Sequence, residues 1–134
     1  MRSRSIESLI QAAMSVRERA HAPYSQFKVG AAIRDETGAV HTGANVENVS
    51  YSMCQCAEAS AIGVMIAAGG REIKEIAIAG GGSELCTPCG GCRQRIREFA
   101  KLTTSIHIAG PEGYRKTFSL AELLPAAFGP ENLD

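Results

Sequence analysis

The sequence predicts an α/β fold, a three-layer α/β/α sandwich around a mixed five-stranded sheet. Segments with apolar residues at helical spacing alternate with short β-rich segments, which is typical of helices packed on a sheet. Glycine, proline and polar residues separate these segments. The chain has 134 residues and is 45% hydrophobic, enough for one core and too short for two comfortable ones. We therefore expect one domain over residues 1–134.

The N-terminal half predicts a helix and a hairpin. Apolar residues recur at helical spacing from Ile6, with Ser3 or Ser5 as N-cap, and the helix ends near Ala20. The β-rich segments are joined by Asp35-Glu36-Thr37-Gly38, in which glycine suits the left-handed position of a hairpin turn. Their predicted strands cover residues 28–34 and 39–44.

The remaining elements follow from composition and glycine punctuation. Residues 56–68 are rich in Ala, Ile, Val and Met and end at Gly69-Gly70, which predicts a helix with a glycine C-cap. The glycine-rich stretch 80–88 predicts a loop. The other predicted elements are a strand at 73–79, a helix at 89–99, strands at 105–109 and 114–118, and a short helix at 120–124.

Charge and composition limit the kinds of partner and substrate that the protein is expected to bind. Fourteen Lys plus Arg balance fourteen Asp plus Glu, so no basic field exists to attract nucleic acid or an anionic membrane. A small, roughly neutral substrate fits better. The N-terminus is polar, and no run approaches the roughly 18 apolar residues of a membrane span. We expect a cytoplasmic protein.

The motif that carries chemistry is Cys56-Ala57-Glu58, followed by Pro88-Cys89-Gly90-Gly91-Cys92. Three thiolates, from Cys56, Cys89 and Cys92, would hold zinc and leave one tetrahedral position open. Glu58 lies close enough to move protons for whatever occupies that position. Both cysteine motifs should begin helices, whose N-terminal N–H groups offset the negative charge of the sulfurs. This signature is typical of zinc nucleobase deaminases.

A structural zinc site is the competing interpretation. Five cysteines are present, and Cys86, Cys89 and Cys92, with Cys56 or Cys54, could form a closed four-cysteine site in a non-catalytic module. A structural site has no use for an adjacent glutamate, so the catalytic interpretation is favoured. Cys54 and Cys86 are then unliganded thiols. His21, His41 and His107 lack ligand spacing to the cysteines and receive no role.

Five sequence blocks occur in order at residues 23–32, 45–48, 51–58, 88–94 and 122–128. Together they resemble the small cytidine deaminases with three cysteine ligands, and the resemblance runs from about His21 to Phe128. It implies the cytidine deaminase-like fold, one zinc ion, and conversion of cytidine or deoxycytidine to the uridine product and ammonia. It also implies a homotetramer with shared active sites.

The resemblance also implies roles for individual residues. Phe27 would pack against the pyrimidine, and Asn45 and Glu47 would bind the ribose hydroxyls. The backbone at Ala57 would accept a hydrogen bond from the substrate amine. Phe128 would close the site of a neighbouring subunit.

One position departs from the family pattern, which usually reads Cys-Ala-Glu-Arg and here has Ala59. Either Arg93 or another cation compensates for the missing arginine, or the optimum for activity or the substrate differs from that of the family. Blasticidin-S deaminases also lack that arginine, so blasticidin S or another aminopyrimidine stays open as a substrate. They typically lack the glutamate of the Asn-x-Glu-Asn block, whereas Glu47 is present here. The balance favours an ordinary nucleoside, and an RNA or DNA editor is disfavoured by the neutral charge.

Overall fold

The computed structural model describes residues 3–133. Met1, Arg2 and Asp134, which belong to the predicted domain, lie outside the described residues. The helices are α1 (Arg4–Arg17), α2 (Ala57–Ala67), α3 (Gly90–Phe99) and α4 (Leu120–Leu123), with 3-10 turns at Tyr51–Met53 and Pro130–Leu133. The strands are β1 (Gly30–Asp35), β2 (Val40–Ala44), β3 (Ile73–Ala79), β4 (Ser105–Gly110) and β5 (Gly113–Ser119).

Every predicted helix and strand is present, with small shifts at the ends. Helix α1 is capped by Ser3, whose hydroxyl accepts from the Ile6 N–H, and it ends at Arg17 instead of near Ala20. Helices α2 and α3 each begin one residue later than predicted, because Cys56 and Cys89 are their extended N-cap residues. The described helices include none that is long and apolar enough to cross a membrane.

The five strands form one mixed sheet in the order β2-β1-β3-β4-β5. Strands β3 and β4 are parallel and are connected through α3, whereas the other neighbouring pairs are antiparallel. The predicted mixed five-stranded sheet is confirmed. The chain leaves the C-terminal end of β3, passes through the loop and enters α3. Cys89 therefore lies near that end of the sheet.

Helices cover both faces of the sheet, so the predicted three layers are confirmed. Alternation along the strands separates the two faces. Helix α1 packs on alanines of the first face, whereas α2 and α3 pack on larger side chains of the second. The first cluster includes Leu9, Ile10, Ala13, Ala32, Ala77 and Ala79; the second includes Ile33, Ala61, Met65, Ile76, Ile78 and Ile96.

Helix α2 lies unusually close to strand β2, and Gly43 makes this possible. A Cβ atom on Gly43 would lie 2.3 Å from the Ala61 backbone nitrogen and 2.8 Å from the Ser60 carbonyl carbon. Only glycine allows the backbones to approach so closely. Strand β2 therefore sets how closely helix α2, which carries Glu58, packs against the sheet.

The β1–β2 turn is held by the buried carboxylate of Asp35. Its Oδ1 accepts from the Thr37 N–H (2.8 Å), the Thr37 hydroxyl (2.6 Å) and the Ala39 N–H (3.1 Å), and its Oδ2 lies 2.7 Å from His41 Nε2. The Thr37 hydroxyl first, and then His41, hold the pKa of Asp35 well below its usual range. Gly38 takes the left-handed conformation, with φ of 90°, that the turn requires.

Candidate metal and active site

Three cysteine sulfurs converge where the N-termini of α2 and α3 meet. Cys56 and Cys89 are the N-caps, and Cys92 lies in the first turn of α3. The three Sγ atoms lie within 4.8 Å of one another, with 3.9 Å between those of Cys56 and Cys89. Tetrahedral zinc with Zn–S bonds of about 2.3 Å places its sulfurs about 3.8 Å apart. The donor set therefore fits a zinc ion.

Hydrogen bonding and burial shift the pKa values of the three thiols in different directions. A hydrogen bond from the Cys92 backbone N–H lowers the pKa of Cys89. Burial raises the pKa of Cys56, and burial together with the nearby Glu58 carboxylate raises that of Cys92. Cys92 is buried, and a buried thiolate is costly without a positive partner. The cluster is thus built to hold a cation.

Glu58 lies beside the cysteines in the first turn of α2 and is only 5% exposed. Burial raises the pKa of its carboxyl group, and the charge of Arg95 opposes this effect. A carboxyl group whose pKa is raised above its usual range is a better proton acceptor than an ordinary glutamate. This is the property that the sequence motif requires of the glutamate.

A cavity of about 180 Å³ brings Glu58 and two of the cysteines together. The buried Ala57 lies in its wall. Its full lining is Val29, Asn45, Cys56, Ala57, Glu58, Cys86, Thr87 and Cys89. Val29 and Thr87 had no predicted role, because neither residue type carries a chemical signal in the sequence.

Asn45 lines the cavity, and its side chain also hydrogen-bonds to the backbone of residues 27 and 29 beside it. Its Oδ1 accepts from the Val29 N–H at 2.8 Å, and its Nδ2 donates to the Phe27 carbonyl at 2.9 Å. An amide nitrogen has two hydrogens and an amide oxygen has two lone pairs. Each polar atom therefore keeps capacity for one further partner.

Glu47 lies outside that cavity and lines a neighbouring one of about 320 Å³ with Tyr24, Ser25, Tyr51 and Cys54. Its carboxylate accepts from the Tyr24 N–H (2.9 Å), the Ser25 N–H (3.1 Å) and the Ser25 hydroxyl. The Ser25 hydroxyl contributes most to lowering the pKa of Glu47. The carboxylate is ionised and anchors the 24–25 turn.

The two predicted aromatic residues lie on the surface of the chain. Phe27 is 43% exposed and Phe128 is 59% exposed, and neither lines the cavity that contains Glu58. The Phe27 ring is packed toward Gly80, at the start of the loop that precedes α3. The Phe128 carbonyl accepts from Gln94 Nε2 at 2.8 Å, which ties the C-terminal segment to α3.

The remaining cysteines do not join the metal cluster. Among residues 3–133, Cys56, Cys89 and Cys92 form the one group of potential metal ligands found. The Cys54 sulfur accepts from the Asn48 N–H at 3.3 Å. Burial raises the pKa of Cys86 to about 11, so its thiol is neutral at physiological pH. The closed four-cysteine site is not formed.

Arg93 does not contact the sulfurs, contrary to one alternative from the sequence. Its guanidinium donates to the Pro88 carbonyl (2.7 Å), the Leu123 carbonyl (2.7 Å) and the Thr87 hydroxyl (3.3 Å). Arg95 is the cation that lies at the cluster, with Nη1 3.7 Å from Cys92 Sγ. The helical spacing of three residues between Cys92 and Arg95 is the signal that could have identified it.

The chain is similar to known proteins over most of its length. The family "Cytidine and deoxycytidylate deaminase zinc-binding region" matches residues 3–108. A cytidine deaminase of Sporosarcina psychrophila is 38% identical over 96% of this chain and 94% of its own length. One of Halalkalibacterium halodurans is 37% identical over 96% of this chain and 97% of its own.

Solved structures show the same relationship. The crystal structure of cytidine deaminase from Burkholderia pseudomallei has a TM-score of 0.85 and 44% sequence identity, covering 90% of this chain and 97% of that one. That of Mycobacterium tuberculosis has a TM-score of 0.78 and 38% identity, covering 91% and 95%. The chain belongs to the cytidine and deoxycytidylate deaminase zinc-binding family.

Proposed function

We propose that the chain catalyses hydrolytic deamination of cytidine and 2'-deoxycytidine, which gives the uridine product and ammonia. The observation that carries this function is one cavity lined by a buried glutamate and two cysteines of a three-thiol cluster with zinc spacing. Near full-length similarity to cytidine deaminases supports the substrate class. Cys56, Cys89 and Cys92 are the zinc ligands in this proposal.

Zinc, when bound, supplies the Lewis acidity that makes water a nucleophile at neutral pH. Glu58 would take one proton from the attacking water and deliver it to the ring nitrogen N3, and the proton of the hydroxyl left on C4 would then pass through the same carboxyl group to the leaving amine, so that C4 exchanges its bond to nitrogen for one to oxygen. Its burial suits this role, because the neutral and ionised carboxyl forms are brought closer in energy. The Ala57 backbone accepts from the substrate amine and orients it.

The ribose-binding roles of Asn45 and Glu47 are part of the proposal. Asn45 lines the cavity and keeps hydrogen-bonding capacity at both polar atoms. The Glu47 carboxylate has three donors and about four acceptor positions, so one position is available for a hydroxyl. Glu47 acts from the rim of the site, where it also fixes the 24–25 turn.

We further propose a homotetramer in which neighbouring chains share sites. Phe27 and Phe128 are large apolar side chains left exposed in the single chain, as are Tyr51 and Met53. Association would remove this apolar surface from water. Phe27 would then meet the pyrimidine, and Phe128 would close the site of a neighbouring subunit.

We also propose that the chain forms a single domain and works in the cytoplasm. Residues 1–134 would form one cytidine deaminase-like domain, with a small-molecule substrate and no nucleic-acid partner. No disulfide joins the five cysteines, all of which lie within residues 3–133, and reduced cysteines persist in the cytoplasm. Ala59 replaces the arginine usual in the family, so blasticidin S or another aminopyrimidine is the alternative substrate.

Two measurements test the proposal. Ammonia release by purified protein from cytidine, deoxycytidine, 5-methylcytidine, cytosine and blasticidin S identifies the substrate, and we expect the two nucleosides to lead. Metal analysis should find one zinc per chain, lost on Cys→Ala substitution at Cys56, Cys89 or Cys92 and kept in the control variants Cys54→Ala and Cys86→Ala. Turnover of blasticidin S without turnover of cytidine would overturn the substrate assignment.

A further inference from the structure

The proposed zinc centre carries an excess of negative charge. Three thiolates around a divalent cation leave a formal charge of −1. The buried carboxylate of Glu58 adds a second negative charge when it is ionised. Cys92 is buried and Cys89 is exposed, so a positive group beside Cys92 would stabilise the least solvated of the three thiolates.

Arg95 is placed to supply that positive charge. It lies one helical turn after Cys92 on α3, and its Nη1 is 3.7 Å from Cys92 Sγ, within hydrogen-bonding distance for sulfur. Its guanidinium runs back along the helix, since a Cβ atom built on Gly91 would lie 3.4 Å from Nη1. Within residues 3–133, the hydrogen bonds to the three clustered sulfurs include no other cationic side chain.

The Arg95 side chain reaches the cysteine cluster from a groove that is separate from the cavity containing Glu58. Arg95 lines a groove of about 520 Å³ that also contains Cys56 and Ala59, but neither Ala57 nor Glu58. The methyl side chain of Ala59 leaves that groove open beside the cysteine. The guanidinium therefore reaches the sulfur without entering the space proposed for the substrate.

We propose that Arg95 is a positioning residue of the metal centre, donating a hydrogen bond to Cys92 Sγ and withdrawing electron density from that ligand. This inference rests on the proposed function for its catalytic consequence, but not for the contact itself. A thiolate that accepts from a guanidinium donates less charge to the metal, which keeps the metal a stronger Lewis acid. Arg95 thus acts on the reaction through Cys92.

Substitution with Co²⁺ gives a direct test, because sulfur-to-cobalt charge-transfer bands report the energy of the sulfur lone pairs. In Arg95→Met, loss of the donor should raise that energy and move the bands to longer wavelength, with Arg95→Lys intermediate. The control Arg19→Met removes an equal charge from an exposed residue beyond the end of α1 and should leave the bands in place. Unshifted bands in both Arg95 variants would overturn the proposal.

Turnover of the zinc forms gives the second measurement. Arg95→Met should lower kcat about three- to tenfold with KM nearly unchanged, since the hydrogen bond acts on the metal and not on the nucleoside. A rise in KM with unchanged kcat would mean that Arg95 contacts substrate and would contradict the positioning role. If the wild type deaminates none of the nucleosides, the proposed function fails, while the cobalt bands still decide the Arg95 contact.

Discussion

Substituting alanine for Gly43 tests whether strand β2 sets the position of the proposed catalytic carboxyl group. The added Cβ atom would lie 2.3 Å from the Ala61 nitrogen and 2.8 Å from both the carbonyl carbon and the Cβ atom of Ser60. Unstrained contacts need about 3.4 Å or more, so strand and helix must separate by roughly 1 Å. The obstructing atoms are mainly backbone, so a change of rotamer cannot relieve the overlap.

Two consequences follow in stability and activity. Overpacking a close-packed core costs about 1–3 kcal/mol, and a backbone overlap this short belongs at the upper end. We expect Gly43→Ala to lower the free energy of unfolding by about 3 kcal/mol. Ser60 and Ala61 follow Glu58 within one turn of α2, and a misplacement of about 1 Å can cost on the order of 10²-fold in rate.

Gly63→Ala is the matched control in the same helix. A Cβ atom at Gly63 meets nothing within 4 Å, and alanine is favoured over glycine in a helix interior by about 0.5–1 kcal/mol. Urea unfolding at one fixed protein concentration and kcat/KM for cytidine are measured for both variants. We expect Gly63→Ala to be slightly more stable and fully active. Wild-type stability and kcat/KM in Gly43→Ala would refute the reasoning.

Three further predictions concern single carboxyl groups. Glu58→Gln should keep zinc and fold but lose about 10⁴-fold in kcat, since an amide cannot move protons; retention of a tenth of the wild-type rate would exclude Glu58 from the mechanism. Glu47→Ala should lower kcat/KM about 10- to 100-fold for cytidine and hardly at all for cytosine. The control Ser25→Ala keeps the carboxylate and should lower kcat/KM for cytidine less, whereas equal losses on both substrates in Glu47→Ala would make Glu47 purely structural. Asp35→Asn should destabilise the fold at neutral pH. Because the folded-state pKa of Asp35 is lowered, its contribution is present above about pH 4 and declines as pH falls toward the folded-state value, so the difference in unfolding midpoint between variant and wild type should shrink in acid. A constant difference would contradict that assignment.

The fold and the metal cluster are predictable from sequence because their signals are local. Apolar spacing and glycine punctuation determine each helix and strand, whereas the strand order β2-β1-β3-β4-β5 comes from the structure alone. The cysteines carry their own geometry, because Cys89 and Cys92 share a face at the start of α3. Cys56 precedes its glutamate by two residues, so one helix start places both groups.

The surroundings of the cluster depend on tertiary packing that the motif does not contain. Glu47 is proposed to bind the sugar, but the number of its hydrogen-bond donors depends on how the 24–25 turn folds back on it. Whether Phe27 and Phe128 reach a substrate depends on a second chain in the proposed tetramer. Single-chain periodicity carries no information about either arrangement.

The two arginines of α3 show where a closer use of helix geometry improves the prediction. Arg93 adjoins Cys92 in the sequence, but consecutive residues point about 100° apart on a helix. Its guanidinium therefore leaves the cluster and ties α3 to Leu123 and the Pro88 loop. Arg95 is three residues from Cys92, so both side chains share one face, and Ala59 leaves room for the longer one. A cation serving a helical ligand is thus better sought one turn away than next to it.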